Sequence, residues 1–148
     1  MIRERDFNSV TTNIENMAGK KITCMLIDDD TEDQEIFLHA LKHLNLDVDF
    51  VTANDGVHAI EKIKSDPDFN PYFIFIDVNM PRMNGIETLI EIKKISKVKD
   101  APVYLYSTYA NPETLDQAKD LGAVDVLVKA NSMKEMEKML SGILKDKI

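Results

Sequence analysis

Residues 22–30, ITCMLIDDD, place three consecutive aspartates directly after an apolar run. A short apolar run of this kind predicts a buried β-strand. A second run, YFIFI at residues 72–76, is followed by Asp77 in the same way. If the two strands are parallel neighbours, Asp28, Asp29 and Asp77 meet in one crevice, where two unit charges ~4 Å apart repel by ~4 kcal/mol at an effective dielectric of ~20. The sequence therefore predicts that a cation balances these carboxylates.

The rest of the chain alternates strand-like and helix-like runs, which predicts an α/β fold with a doubly wound, five-stranded parallel sheet. The predicted strands cover residues 22–27, 48–52, 72–76, 102–106 and 124–128, and helices begin near residues 31, 56, 86, 112 and 132. The run at 72–76 is apolar on both faces, so we expect it to be central, and the alternating run at 48–52 is expected at an edge.

Capping residues mark several helix boundaries. Thr31 to Gln34 and Ser132 to Glu135 both fit the capping box, in which side chains satisfy free backbone amides at the start of a helix. Asn111 is predicted as an N-cap before Pro112, and Gly122 is predicted to end that helix. These signals divide the chain into five strand–helix units.

The length of 148 residues predicts one domain, over residues 21–148, with no output domain after it. Residues 1–20 show no sustained apolar period and are expected to form a loosely ordered N-terminal extension. No apolar stretch approaches the ~20 residues of a membrane-spanning helix, and since the first residues mix charges and lack the apolar run of a secretory signal, we expect no export. A single cysteine, Cys24, is typical of a reducing compartment, so we expect a cytoplasmic protein.

Charge narrows the possible partners further. The net charge of -8 argues against a nucleic-acid surface, which needs clustered Lys and Arg to neutralise phosphates. We therefore expect protein partners, without direct contact to nucleic acid or to a membrane.

Chemistry-bearing residues follow four of the predicted strands. Asp28 and Asp29 follow the first strand, Asp77 the third, Ser107 the fourth and Lys129 the fifth. In an open parallel sheet, ligands bind outside the carboxyl ends of the strands. Oxygen ligands of this kind suit Mg²⁺, which binds a few carboxylates and keeps several waters. With Lys129 as a second positive group, the site would also accept phosphoryl oxygens, and one carboxylate is placed to attack phosphorus.

Four segments resemble the motif blocks of bacterial response-regulator receiver (CheY-like) domains. They are LIDDD at 26–30, FIDVNMPRMNG at 75–85, PVYLYS at 102–107 and GAVDVLVK at 122–129. The resemblance extends from about residue 21 to the C-terminus, in the family's order and spacing. It implies a flavodoxin-like (βα)5 fold with strand order 2-1-3-4-5.

The resemblance also implies a role for each site residue in a two-component phosphorelay. Asp77 would be the phosphoacceptor, receiving a phosphoryl group from a phosphohistidine on a sensor histidine kinase or a histidine phosphotransfer protein. Asp29 and Asp77 would ligate Mg²⁺ directly, together with the backbone carbonyl of Asn79, while Asp28 would act mainly through water.

Lys129 would pair with the phosphoryl oxygens or with Asp77. Ser107 would bond the phosphoryl group after transfer and pull the following loop inward. A phosphoryl group adds about -1.5 to -2 charge units, which is enough to bias such a loop between two positions.

The chain departs from the family pattern at two positions. Ala130 stands where relatives commonly have a proline in a cis peptide, and a cis peptide at alanine would cost roughly 2.5 to 4 kcal/mol, so we expect a trans bond after Lys129. Val126 stands where many relatives carry an aromatic residue that swings inward on activation. In the family, the positions of Asn79 and Tyr109 tune hydrolysis of the acyl phosphate, and a bulky Tyr109 is expected to shield phosphorus from water.

We therefore expect a stand-alone phosphorylation switch, and not an enzyme, whose output is binding to an unknown downstream protein. The alternative is a small Mg²⁺-dependent phosphohydrolase of the haloacid-dehalogenase type, with its nucleophile at the end of the first strand. That class requires Asp-x-Asp-x-Thr or Val, whereas Asp28 and Asp30 are followed by Glu32. A flavin carrier would need Ser, Thr and Gly in the first loop to hold phosphate, and three acids there repel it.

Overall fold

Parallel strands form a single sheet in the computed structural model, which describes residues 3–4, 22–109 and 111–145. In these residues the strands are β1 (Arg3–Glu4), β2 (Thr23–Ile27), β3 (Asp49–Ala53), β4 (Phe73–Asp77), β5 (Val103–Ser107) and β6 (Asp125–Val128). Their order is β1-β3-β2-β4-β5-β6, and every neighbouring pair is parallel. The five longer strands thus follow the order 2-1-3-4-5, which confirms the predicted fold.

Helices cover both faces of this sheet. They are α1 (Thr31–His43), α2 (Gly56–Ser65), α3 (Gly85–Lys93), α4 (Pro112–Asp120) and α5 (Met133–Leu144). Buried residues of α2, α3 and α4 pack on one face, and buried residues of α1 and α5 pack on the other. Successive side chains of a strand point to opposite faces, so β2 and β4 contribute to both cores.

Strand β4 is central, as predicted. It lies between β2 and β5, and all five of its residues are buried. The predicted edge strand, β3, has a partner beyond it, because the two-residue β1 pairs with Asp49 and Phe50. Apart from Arg3–Glu4, the predicted N-terminal extension lies outside the described residues and stays a prediction.

The start of α1 differs from the prediction. Its N-cap is Asp30, whose carboxylate accepts hydrogen bonds from the backbone N–H groups of Glu32 and Asp33, so Thr31 already belongs to the helix. An aspartate is at least as good an N-cap as threonine, and it stands one residue earlier. Gln34 consequently does not complete a capping box, and its side chain donates to the carbonyl oxygen of Asp28 at 2.7 Å.

The other predicted helix boundaries agree better with the structure. Asn111 caps α4, Pro112 is its first residue, and Gly122 follows its end with a positive φ of 104°. Ser132 caps α5 by accepting from the N–H of Glu135, but the Glu135 carboxylate accepts from the N–H of Asn131, so only one half of the predicted capping box forms. In the described ranges, no helix combines the length and the apolar character that a membrane span requires.

Gly85, the first residue of α3, holds the loop after β4 close to Asp77. A Cβ atom at position 85 would lie 2.6 Å from the carbonyl oxygen of Asp77 and 2.8 Å from the Cα of Val78. Both neighbours are backbone atoms that cannot rotate away. We expect Gly85→Ala to lower the free energy of unfolding by about 2–3 kcal/mol, as overpacking does, in urea denaturation.

Gly142 provides the matched control, because it lies inside α5 and a Cβ there would meet nothing within 4 Å. Alanine is the better helix former, so Gly142→Ala should raise the free energy of unfolding by about 0.5–1 kcal/mol. Equal effects of the two substitutions would contradict the close approach at Gly85.

Candidate functional site

The carboxyl ends of β2 and β4 bring together the three aspartates that the sequence singled out. The strands are parallel neighbours, with Ile27 opposite Ile76, so the residues that follow them lie at one edge of the sheet. One carboxylate oxygen from each of Asp28, Asp29 and Asp77 lies within 4.8 Å of the other two. Asp28 and Asp77 are buried and Asp29 is exposed, so the group is open to solvent on one side.

The electrostatics of this group favour a bound cation. Burial raises the pKa of Asp28 to about 6, with repulsion from Asp77 adding to it, although the N–H of Asp30 and the charge of Lys129 act in the opposite direction. Burial also raises the pKa of Asp77, against the opposing charge of Lys129. Two buried acids therefore hold their charge at a cost, which a divalent cation among oxygen ligands would remove. The donor set fits a hard cation such as Mg²⁺.

Lys129, at the end of β6, supplies an ammonium group to the same crevice. Its Nζ lies 3.4 Å from Oδ2 of Asp28 and 3.4 Å from Oδ1 of Asp77. Its shortest contact, at 2.7 Å, is to Oδ2 of Asp33 in the first turn of α1. Burial disfavours the charged ammonium, but the hydrogen bond to Asp33 and the charges of Asp28 and Asp77 outweigh it and raise the pKa of Lys129.

Asp33 is the residue that sequence reasoning missed. It lies in a run of acids that reads as the solvated start of a helix, and no apolar strand precedes it directly. Its place in the first turn of the predicted helix could have indicated its role, because that helix starts at the same edge of the sheet as the three aspartates.

Ser107 and Asn79 lie on the segments beside Asp77. Ser107 ends β5, the neighbour of β4, and it is buried. Its Oγ accepts from the N–H of Tyr109 at 3.3 Å, and its carbonyl oxygen accepts from the N–H of Lys129 at 2.7 Å. The backbone N–H of Asn79 donates to the carboxylate of Asp77, which favours its charged form. All six predicted site residues thus lie on neighbouring strand ends and loops.

A family model described as the response regulator receiver domain matches residues 24–141 of this chain. The matched segment contains every residue of the site described above. The chain belongs to the response regulator receiver family. The predicted recognition is therefore confirmed, and the aspartates and the lysine stand at the strand ends where the motif blocks placed them.

This receiver is 36% identical over 123 residues to the transcriptional regulatory protein CpxR homolog of Haemophilus influenzae, with 82% of this chain and 49% of that protein covered. It is 27% identical over 123 residues to the response regulator Rcp1 of Synechocystis sp., with 80% of this chain and 84% of that protein covered. The receiver thus spans about half the length of the first relative, at 49%, and most of the second, at 84%.

Solved structures of relatives share the architecture. The phosphorylated cyanobacterial phytochrome response regulator RcpA has a TM-score of 0.75 at 25% identity, with 83% of this chain and 91% of that chain covered. The Mn²⁺-bound form of Rcp1 has a TM-score of 0.71 at 26% identity, with 82% and 91% covered.

The structure shows the surroundings of Ala130 and Val126, the two positions at which the chain departs from the receiver pattern. No cis peptide bond occurs in the described residues, so the trans bond between Lys129 and Ala130 is confirmed. Val126 is buried, and the ring near the site belongs instead to Tyr106, whose centroid lies 5.3 Å from the Nζ of Lys129. Tyr106 is buried and its Oη donates to the Sδ of Met136 on α5, 3.6 Å away.

The raised pKa of Asp28 generates a stability prediction for the metal-free receiver. The pKa of the Asp28 carboxyl is about 6 in the folded state and 3.8 in the unfolded chain. At pH 7.5 the ionised carboxyl therefore destabilises the fold, by about 3 kcal/mol for this shift. Asp28→Asn removes that charge, which stabilises the fold, but it also removes a carboxylate oxygen near Lys129, which offsets part of the gain. We therefore expect the unfolding free energy of the variant to rise by about 1–3 kcal/mol in EDTA at pH 7.5.

The raised pKa of Asp28 also predicts how the free energy of unfolding depends on pH. A raised carboxyl pKa means that the folded state binds the proton more tightly, so this destabilisation fades as the pH falls from above 6 towards 4. The advantage of Asp28→Asn should shrink over that range in urea titrations. Asp30→Asn, two residues along, keeps its N-cap function and should leave stability nearly unchanged. A metal-free Asp28→Asn protein less stable than wild type at pH 7.5 would contradict this account.

Proposed function

We propose that this receiver is a signalling switch that accepts a phosphoryl group on Asp77 with the help of Mg²⁺ and thereby changes its binding to a downstream protein. The observation that carries the proposal is the surroundings of Asp77. Its carboxylate stands at the end of the central strand, within 4.8 Å of oxygens of Asp28 and Asp29, with the Lys129 ammonium 3.4 Å away.

Asp77 acts as the nucleophile in this proposal. Its carboxylate oxygen forms a bond to phosphorus while the P–N bond of a phosphohistidine donor breaks, and the electron pair leaves with the imidazole nitrogen. Lys129 then faces the new phosphoryl oxygens, and its ammonium offers three donors for them. The Ser107 hydroxyl, on the next strand end, bonds the phosphoryl group and draws the loop from Ser107 to Tyr109 inward.

Asp29, Asp77 and the backbone carbonyl of Asn79 would hold Mg²⁺ directly, and Asp28 would hold it mainly through water. When bound, the ion neutralises the carboxylates and the charge on the transferring phosphoryl oxygens. Support comes from the raised pKa values of Asp28 and Asp77 and from the relative Rcp1, which has been solved in a Mn²⁺-bound form.

The donor in this proposal is a sensor histidine kinase or a histidine phosphotransfer protein, and the output is a protein contact. Membership of the receiver family supports this assignment. The chemistry is limited to the receiver's own phosphorylation and dephosphorylation, so we propose a switch and not an enzyme with an external substrate. The phosphohydrolase alternative is disfavoured at Asp28, whose fully buried carboxylate accepts from the N–H of Asp30 and lies 3.4 Å from the Lys129 ammonium.

Incubation with acetyl phosphate and Mg²⁺ tests the proposal directly. Intact mass spectrometry should show one added phosphoryl group on the wild-type protein and none on Asp77→Asn. EDTA should abolish the modification, because the acidic crevice then repels the phosphoryl oxygens. Asp116→Asn, an exposed aspartate on α4, is the matched control and should be modified like wild type. Modification that persists in Asp77→Asn, or fast turnover of assorted phosphate esters, would contradict the proposal.

Tyr109 provides a second test of the same site. Tyr109 is 71% exposed, while its backbone N–H donates to Ser107 Oγ, so the proposed inward shift of this loop would carry the ring towards the site. We expect Tyr109→Ala to shorten the lifetime of the phosphorylated protein several-fold, measured by loss of the added mass after acetyl phosphate is removed. Tyr72→Ala, at another exposed tyrosine, should leave the lifetime unchanged. A lifetime in Tyr109→Ala as long as in wild type would show that the ring does not shield phosphorus.

A further inference from the structure

Lys129 has a third carboxylate partner that the proposed phosphoryl chemistry does not use. Its Nζ lies 2.7 Å from Oδ2 of Asp33, against 3.4 Å from Asp28 and from Asp77. The contact to Asp33 has hydrogen-bond length, and the two others exceed the usual range for such bonds. In the resting receiver, the ammonium is therefore held most closely by a residue of α1 and not by the phosphoacceptor.

The contact between Lys129 and Asp33 is partly shielded from water, which strengthens this ion pair. The side chain of Lys129 is 14% exposed and that of Asp33 is 27% exposed. Ion pairs at the open surface contribute little, but screening falls as burial increases. The ring of Tyr106, 5.3 Å from Nζ, adds a further favourable contact for the cation in this position.

We propose that Asp33 is a positioning residue that holds Lys129 back from Asp77 in the resting state. Phosphorylation at Asp77 would then have to draw the ammonium from Asp33 towards the phosphoryl oxygens. The strength of the Asp33–Lys129 pair therefore sets part of the free-energy difference between the two states. This inference rests on the function proposed above, because it needs a phosphoryl group at Asp77.

Because of the position of Asp33, the movement of Lys129 from Asp33 towards the phosphoryl group would also affect the helices around the site. Asp33 belongs to the first turn of α1, and Lys129 directly follows β6, in the loop that leads to α5. The ion pair thus joins the start of α1 to that loop, on the face where α1 and α5 share a core. Weakening it on phosphorylation would loosen one connection between these two helices.

Trifluoroberyllate, a stable mimic of the phosphoryl group, provides the test. Isothermal titration calorimetry in the presence of Mg²⁺ measures its affinity for wild type and for Asp33→Asn. Asparagine keeps the shape of the side chain and removes its charge, so Lys129 is held less tightly away from the site. We expect Asp33→Asn to bind trifluoroberyllate about fivefold more tightly, a typical coupling between charges in contact.

Two controls separate this effect from a general change in charge or stability. Glu32→Gln removes a charge from the same turn of α1, at an exposed residue with no ion pair to Lys129 in the described part of the chain, and should leave the affinity unchanged. Repeating Asp33→Asn in a Lys129→Gln background completes a double-mutant cycle. If Asp33 acts through Lys129, the gain in affinity disappears in that background.

The outcomes are distinct. An unchanged or weakened affinity in Asp33→Asn, or a gain that persists without Lys129, overturns the role of Asp33 while leaving the proposed function in place. Wild-type protein that binds no trifluoroberyllate with Mg²⁺ overturns both. A gain in Asp33→Asn, absent from Glu32→Gln and lost without Lys129, supports the inference.

Discussion

The central constraint in this structure is the crowding of negative charge at one edge of the parallel sheet, where Asp28, Asp29 and Asp77 meet. Strands β2 and β4 are neighbours and end at the same level, so one carboxylate oxygen from each acid at these strand ends lies within 4.8 Å of the others. Parallel strands need helices on both faces, and those helices bury the strand ends and remove the water that would screen the charges. The same topology that makes the core stable therefore makes the site unfavourable until a cation occupies it.

Lys129 offsets only part of the cost of burying these charges beside one another. One ammonium faces three carboxylates, those of Asp28, Asp33 and Asp77, and the pKa values of Asp28 and Asp77 remain raised in its presence. Such a balance is easily shifted by an added ion or phosphoryl group, because each changes the local charge by more than one unit. Sensitivity of the site to a bound charge thus follows from the imbalance itself.

Much of the fold and of the site could be predicted because their signals are local. Each strand is an apolar run, and each of Asp28, Asp77, Ser107 and Lys129 stands at or directly after the end of one. Asp30 as the cap of α1 and Asp33 as the partner of Lys129 were missed, since three successive acids and a following helix leave several equivalent assignments in sequence. Only the tertiary fold, in which α1 and α5 share one face of the sheet, brings Asp33 and Lys129 together, although 96 positions separate them.

Other features depend on contacts between distant segments and could not be predicted either. Strand β1 exists through its pairing with β3. Arg82, in the loop after Asp77, has a positive φ of 65°, and its guanidinium donates to Asp55, the N-cap of α2, at 2.5 Å. This pair links the loop after Asp77 to α2, and nothing near either residue in sequence indicates it.

A crystal structure of the receiver with Mg²⁺ and trifluoroberyllate would test the central claim most directly. The account predicts one Mg²⁺ among Asp28, Asp29 and Asp77, beryllium bonded to a carboxylate oxygen of Asp77, and the Nζ of Lys129 in contact with a fluorine. A metal bound elsewhere, or a fluoroberyllate attached to any other side chain, would contradict it.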